Sequence, residues 1–361
     1  MTLEGKNIKP VKNREWQRYQ KEIADDNFYL ARSCIRQNFF PAAEDLFINI
    51  LRNHLSKDIY DDPAQTTCTG IAYHSAIVPM ETTMTVVARQ FALMNESGYK
   101  NFAVSCVTSF GIYTEMLETW HHFPHLLEKT RDLLYKSTGK EFTVPENIVH
   151  TSDLIFKFRK EISSQLKYRL INKETGEPLK VVDHIGCHYA KIFPEQAIGG
   201  SEYPYVLAGL TDEFGGEQVD YPERRHCCGF GFRQYLLKSN RGYSVANSKI
   251  KLDSMKPFNP DLIICNCPGC TYFLDRWQYV ISEMDGTVYS KDGYGIPVLT
   301  YEEITALLLG YDPWKSGLQL HQVAVEPLLK KIGIQFDQSQ KYLGADGEDL
   351  GVPNLPSVLK Q

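Results

Sequence analysis

The sequence predicts a duplicated α/β protein: two Rossmann-like units, each aiming loops from the carboxyl ends of its strands at one site. Three observations predict it. Short apolar runs such as Asn101–Cys106 and Asp261–Cys265 are followed by helical patterns, the alternation of a parallel sheet with crossover helices. Cysteine segments recur: Cys34, Cys68 and Cys106 are repeated by Cys187, Cys227 and Cys267, at offsets of 153, 159 and 161 positions. Cys34 and Cys187 are also each followed, after five residues, by Phe-Pro (Phe40-Pro41 and Phe193-Pro194). Third, Cys34, Cys106, Cys187 and Cys267 each come at or just after a predicted strand end, where open α/β sheets place their ligands.

Length and composition agree with this. The 361 residues suffice for two domains and a sizeable core, and 43% hydrophobic with 23% charged residues is ordinary for a globular chain. A net charge of −5 and the lack of a long Lys/Arg run remove a nucleic-acid footprint. The 21 Tyr and 18 Phe read as core and interface residues. No apolar run approaches the roughly 20 residues of a bilayer span, so no transmembrane segment is expected. Residues 1–26 hold no apolar leader, which points to the cytoplasm, where cysteines serve as ligands more often than as disulfides. Nine cysteines, an odd number, also argue against a pure disulfide framework.

In chain order, residues 1–26 read as a polar N-terminal extension, with a short helix over Asn13–Ala24. The first unit spans 27–171. Asn27–Arg32 is a strand leading to Cys34, Pro41 sits in the first turn of a helix over Ala42–Leu55, and Asp61–Thr69 is a loop carrying Cys68. Met80–Met94 is helical and stopped by Gly98; Ser109–Trp120, Phe123–Tyr135 and Thr151–Glu161 are helical, the last capped by Thr151. The second unit spans 172–334 and opens with a turn-rich linker, Asn172–Pro178. Val181–His184 is a strand ending at Gly186-Cys187; Ser201 caps a helix to Phe214, closed by Gly215-Gly216; Gln218–Tyr221 is a strand before Cys227-Cys228-Gly229. Phe232–Met255 is helical with a break at Gly242, Asp261–Cys265 is a buried strand, and Thr271–Met284 is helical. Pro297–Leu299 is the last strand, and Thr300 with Glu303 forms a capping box for Glu302–Leu309. Residues 335–361 read as a loose tail.

The second unit carries Cys187, Cys227, Cys228, Cys267 and Cys270, with 39 residues between the first two and 38 between Cys228 and Cys267. Five thiols from three loops suit an iron–sulfur cluster. Structural zinc takes four ligands, typically as two close pairs, and fits the adjacent Cys227-Cys228 badly. The first unit keeps Cys34, Cys68 and Cys106, but Thr69 and Ser109 stand where the second unit has thiols. Hydroxyls are poor cluster ligands, so that weaker site holds a smaller cluster such as [2Fe–2S], one completed by another ligand, or nothing; its cysteines are otherwise relics in a core. Cys265, in the run Leu262–Cys265, reads as a buried structural cysteine. His188 and Lys191 are the candidate catalytic residues, to position a substrate or protonate a leaving thiolate; the plain alternative is hydrogen bonding to the cluster's surroundings. Gly229 lets the backbone pass close to the cluster. His121, His122 and His125 read as a solvated loop rather than a metal site, and Gly229-x-Gly231 lacks the rest of a nucleotide fingerprint.

These motifs resemble the CCG-domain family, most closely the B subunit of heterodisulfide reductase. Gly186-Cys187-His188-Tyr189 with Lys191 looks like that family's GCHxxK segment. Cys267-Pro268-Gly269-Cys270 with Leu274, Asp275 and Gln278 looks like its CPxC helix start, and Pro297–Leu299 with the helix to Leu309-Gly310 like its final strand and helix. The resemblance covers residues 27–312 and is specific in the second half. It implies that 27–171 is a degenerate CCG domain and 172–334 a complete one, holding a noncubane [4Fe–4S] cluster on Cys187, Cys227, Cys228, Cys267 and Cys270. It further implies disulfide reduction, or thiol or persulfide oxidation, one electron at a time within a hetero-oligomer. The partners it implies there are a small ferredoxin-like protein and a flavoprotein. A lipoate-binding protein is a further partner in the sulfur-oxidising branch.

The expected protein is thus the sulfur-active part of a larger oxidoreductase. Symmetric disulfide splitting between two facing clusters does not suit Thr69 and Ser109, so the second cluster is expected to do sulfur chemistry and the first, if present, to pass electrons. Two rivals stand beside this: an electron relay in a quinone-linked succinate, glycolate or lactate dehydrogenase, and a non-catalytic assembly subunit with a structural cluster. The sequence leaves the disulfide open among thiol coenzymes, lipoyl groups, persulfides and proteins, and leaves direction open too.

Overall fold

The computed structural model of the chain describes residues 23–66, 68–193, 196–201, 203–230, 241–290 and 295–337, with short segments at 342–343 and 349–351. Residues 13–22 of the expected helix over Asn13–Ala24, the start of that over Phe232–Met255, and most of the 335–361 tail lie outside the described residues.

Two four-stranded, wholly parallel sheets form the framework. The first orders β1 (Phe28–Ala31), β2 (Ile59–Tyr60), β3 (Asn101–Val104) and β4 (Asn147–His150) as β2-β1-β3-β4. The second orders β5 (Lys180–His184), β6 (Glu217–Gln218), β7 (Leu262–Cys265) and β8 (Val298–Thr300) as β6-β5-β7-β8, the same topology. Registers agree as well: Ala31 lies opposite Val104, and His184 opposite Cys265. All four residues of β1 and of β7 are buried, as in a parallel sheet covered on both faces by helices.

The helices of the first unit are α1 (Cys34–Phe39), α2 (Ala42–Asn49, continuing as a wider turn over Ile50–His54), α3 (Gly70–His74), α4 (Met80–Glu96), α5 (Val107–His122), α6 (Pro124–Thr138), α7 (Thr151–Lys157) and α8 (Arg159–Ser163). Those of the second are α9 (Cys187–Ala190), α10 (Val206–Glu213), α11 (Arg241–Met255), α12 (Pro268–Asp285), α13 (Tyr301–Leu309) and α14 (Glu326–Ile332). A short antiparallel pair, Tyr342–Leu343 with Asp349–Gly351, follows.

Several sequence expectations need correction. The β2 and β4 strands were not expected; β4 runs straight into α7 with no turn residue, so its apolar signal merges with the helix. The cap of α7 is His150, whose side chain accepts from the Ser152 N–H, not Thr151, which instead binds the Val104 carbonyl and the Tyr301 hydroxyl. Ser201 does not cap α10, which starts later behind Tyr205. Gly242 lies inside α11 and does not break it. Pro268, preset for a first turn, starts α12 at the cysteines rather than at Thr271. The capping box on Thr300 and Glu303 forms as expected, and Gly98 follows α4 with φ +78°. The Asn172–Pro178 stretch folds back on itself, with the Asn172 N–H on the Glu177 carbonyl and Ile171 bridged to Pro178.

The two units share one core and interlock through reciprocal helix contacts. In each direction the helix behind the first cysteine of one unit packs on the helix behind the third cysteine of the other: α1 on α12, with the Phe39 and Tyr272 rings 4.1 Å apart, and α9 on α5. Gly111 of α5 permits the second contact, since a Cβ there would meet the His188 Cβ at 3.2 Å. Likewise α7 packs on α10 and α13 on α2. Arg36 of α1, fully buried, pairs with Glu302 of α13 at 2.8 Å and donates to the Ser105 carbonyl at 2.6 Å; in the opposite direction Tyr189 of α9 binds Asp153 of α7. This packing brings both sets of cysteine loops to the seam. Among the described residues no helix is long and apolar enough to cross a membrane.

Candidate metal centre

The complete site is assembled at three strand ends. β5 ends at His184, and the chain turns through Gly186, held by the Asn266 side chain accepting its N–H at 2.8 Å. A Cβ on Gly186 would lie 2.5 Å from Val107 and 2.9 Å from the Cys267 Cβ, so only glycine lets Cys187 come this close to Cys267. The second loop brings Cys227 and Cys228. Gly229 follows at φ +89° against the Ser244 carbonyl, its N–H directed to the Cys227 sulfur at 3.3 Å, and Ser248 donates to the Cys228 carbonyl at 2.6 Å. The third loop caps α12: Cys267 is the N-cap, and the N–H groups of Gly269 and Cys270 face its sulfur, which suits a thiolate at a helix N-terminus.

The five sulfurs form one array. Cys228 and Cys270 sulfurs are 3.1 Å apart, and hydrogen bonds join Cys187 to Cys227, Cys227 to Cys228 and Cys267 to Cys270. All five are free thiols. Packed thiols cannot all ionise: Cys227 and Cys267, held by neighbouring thiols, are pulled below the ordinary thiol value, whereas Cys187, Cys228 and Cys270 are pushed up. Cys228, Cys267 and Cys270 are buried; Cys187 and Cys227 are partly exposed, so the site opens on their side.

The expected neighbours are at that opening. The Lys191 ammonium donates to the Arg225 carbonyl at 2.6 Å and its charge favours the Cys227 thiolate. His188 meets the His74 ring edge-on, centroids 4.6 Å apart, and burial pushes it down to about 4, leaving it neutral at pH 7. His74 in turn faces the Glu115 carboxylate at 3.4 Å, which the Tyr73 hydroxyl also reaches.

Four residues around the site escaped the sequence reading. Lys251, in α11, is fully buried, donates to the Glu223 and Arg224 carbonyls, and is pushed down to about 8 by burial against the pull of Cys228 and Asp183. Asn266 holds the Gly186 turn. Arg36 reaches across the seam and its charge favours the Cys267 thiolate. His184 lies with a ring nitrogen and the Cys228 and Cys270 sulfurs all within 4.8 Å of one another. Only the His184-Ile-Gly-Cys187 spacing could have hinted at it.

The first site differs. Burial raises Cys34, Cys68 and Cys106, and each of Cys34 and Cys106 feels Cys68. Ser109 donates to the Cys68 sulfur at 3.0 Å, and the Gly70 N–H points to it at 3.3 Å. Thr69, at φ +60°, has its hydroxyl on Thr83 instead. Cys106 also feels Cys267, so the two sites adjoin. Cys265 is wholly buried in β7. His121 and His122 end α5 and His125 begins α6, all exposed, with no metal grouping there among the described residues.

The fold and the thiol array define a cysteine-rich α/β protein with a candidate metal centre in its second unit. Residues 181–275 match the family model of the cysteine-rich domain called CCG, and the match encloses all five thiols. The chain is 28% identical over 324 residues to the B subunit of a ferredoxin:CoB-CoM heterodisulfide reductase of Methanosarcina acetivorans, covering 87% of this chain and 98% of that protein. An 8-methylmenaquinol:fumarate reductase membrane anchor subunit of Wolinella succinogenes is 26% identical over 165 residues, 44% of this chain and 50% of that one. Among solved structures, a hypothetical protein from Helicobacter pylori superposes with a TM-score of 0.57 at 12% identity, over 88% of this chain and 58% of that one, a likeness of fold. The resemblance to CCG proteins read from the sequence holds.

Proposed function

We propose that this chain is the iron–sulfur subunit of a heterodisulfide reductase-like complex, reducing a disulfide or oxidising a thiol or persulfide, lipoyl-bound thiols included, at a noncubane [4Fe–4S] cluster on Cys187, Cys227, Cys228, Cys267 and Cys270. The observation that supports it most is the convergence of five free thiols from three strand-end loops into one array. Zinc needs four such ligands, and nothing in the array leaves a fifth thiol idle.

When bound, the cluster supplies single-electron transfer and an iron-bound site for sulfur. The chain supplies the rest. Lys191, Lys251, Arg36 and the α12 N-terminus offset the negative charge of the thiolates. The buried Cys228, Cys267 and Cys270 anchor the inner side, and Cys187 and Cys227 leave the outer side open to a substrate. Reduction of a disulfide takes up two electrons and two protons and yields two thiols. At the opening, neutral His188 orients the departing sulfur through its N–H, and Lys191 stabilises it as a thiolate. The likeness to heterodisulfide reductase B subunits supports a hetero-oligomer in which flavoprotein and ferredoxin-like partners carry the electrons. The stretch shared with the fumarate reductase anchor protein supports a second reading, an electron relay to quinone, for which quinone reduction by the assembled complex is the test.

The first experiment is iron and acid-labile sulfide on anaerobically prepared protein, with an EPR spectrum. About four irons per chain place one cluster in the second unit, and about six or more add one in the first. A chain without iron after reconstitution refutes the reading.

A further inference from the structure

His184 is 2% exposed, and neither of its ring nitrogens has a hydrogen-bond partner. A buried imidazole with both nitrogens unpaired is costly, and such groups ordinarily mark something bound. Its place in the strand is fixed. The preceding Asp183 is gripped by Arg224 through two bonds of 2.6 and 2.7 Å, and alternation along β5 puts His184 on the opposite face. A ring nitrogen of His184 and the sulfurs of Cys228 and Cys270 all lie within 4.8 Å of one another.

The duplication supplies an independent argument. His184 is three residues before Cys187, as Ala31 is three before Cys34, and the two end equivalent strands in equivalent registers. The histidine and the two sulfurs beside it thus correspond to Ala31, Thr69 and Ser109 in the first unit. The three positions that meet in space in the complete site are the three replaced together in the degenerate one. Cys187, Cys227 and Cys267, by contrast, have kept their counterparts. A core histidine unrelated to the thiols has no reason to be lost with two of them.

We propose that His184 is a positioning residue of the centre, donating a ring N–H to sulfur of the group that Cys228 and Cys270 hold; this rests on the cluster reading above. Direct ligation is the less suitable role. A histidine on a metal nearly always donates its other N–H to a carboxylate or carbonyl, and no such acceptor contacts His184. An array of anionic sulfurs is instead rich in acceptors, and an N–H aimed at it is satisfied at once. Hydrogen bonds to cluster sulfur favour the reduced, more negative state and so raise the reduction potential.

The test uses the full chain reconstituted anaerobically with iron and sulfide, with iron counted first. A native chain that takes no iron overturns the cluster reading and this proposal with it. With iron at its native level, the proposal expects a weakly coupled histidine nitrogen and an exchangeable proton in pulsed EPR of 15N-histidine-labelled protein. Both signals should persist in His188→Phe and vanish in His184→Phe, whose midpoint potential should shift negative, while His184→Gln, which keeps an N–H, should recover part of the shift. A strongly coupled nitrogen, signalling direct ligation, overturns the donor role. So do signals and potential unchanged in His184→Phe. If both His184 variants fail to hold iron, the His188→Phe spectra decide: the presence of both weak signals there supports the proposal, and their absence overturns it.

Discussion

The two units share topology, strand order and register, yet only one gathers a full set of soft ligands. The second sets five thiols and an unpaired histidine together. The first keeps Cys34, Cys68 and Cys106 and has Ala31, Thr69 and Ser109 at the remaining positions, the hydroxyls of Thr69 and Ser109 finding partners within the protein. The scaffold is thus preserved where the ligands are not. What holds the scaffold is the seam: each unit sends a side chain from its first cysteine helix into the other, Arg36 to Glu302 and Tyr189 to Asp153. Packing across that seam constrains both loops alike, which explains how a site can lose its ligands and keep its shape.

The sharpest way to break the comparison is at the ligands. Cys228→Ser and Cys267→Ser should each abolish the second site's cluster, seen as loss of its iron and EPR signal, while Cys34→Ser should leave that signal in place. Equal losses from Cys34→Ser would mean that one centre spans both units. The converse experiment restores the missing thiols: Thr69→Cys with Ser109→Cys should raise iron per chain above native. Unchanged iron and redox behaviour would remove the view that these two hydroxyls are what limits the first site.

The seam comes next in size. Removing one member of a buried ion pair costs about 3–5 kcal/mol, because the other is left unpaired. Arg36→Met should therefore lower stability by that order in denaturant unfolding, against about 1–3 kcal/mol for Tyr189→Phe, which leaves a polar group unmatched. pH sharpens the contrast. Burial pushes Glu302 up to about 7 from its ordinary 4.5, against the pull of Arg36. Between these values the folded chain binds more protons at Glu302 than the unfolded one, so this group's contribution to stability is full below pH 4.5 and declines as pH rises towards 7. Glu302→Gln should flatten that part of the profile, and in Arg36→Met the decline should extend to higher pH. Identical profiles for native protein and Glu302→Gln would show that this carboxyl does not titrate there.

Much of this was legible in the sequence, for reasons that particular residues show. β1 and β7 are continuous apolar runs, β3 and β5 hold shorter ones, and the cysteines that follow these strands recur at matched intervals, so the central strands of each unit could be placed. β2 and β4 could not: two residues at Ile59–Tyr60 carry no period, and Asn147–His150 flows into α7 without a break. The helices α1, α3 and α9, four to six residues long, are too short to show one, although they set the angle of Cys34, follow Cys68 and carry Cys187. The remaining site residues are contacts across sequence distance. Arg36 and Glu302 are polar letters in separate helices until the seam closes, and His184 looks like the last residue of a strand until Cys228 and Cys270 arrive beside it.

The smallest expected effect tests whether the first site is tuned or merely filled. Ser109 donates to the Cys68 sulfur at 3.0 Å, and this bond works against the burial that raises the thiol. Ser109→Ala removes a single, neutral hydrogen bond to a weak acceptor, worth about 0.5–1.5 kcal/mol at most in unfolding. It should also make Cys68 harder to ionise, and hence slower towards an alkylating reagent, with the Cys227 and Cys267 thiols unaffected. Ser109→Cys, whose S–H is a weaker donor than the hydroxyl, should fall between native protein and Ser109→Ala. Unaltered alkylation of Cys68 in both variants would mean that the hydroxyl only fills the gap, and the two units would then differ in ligand count alone.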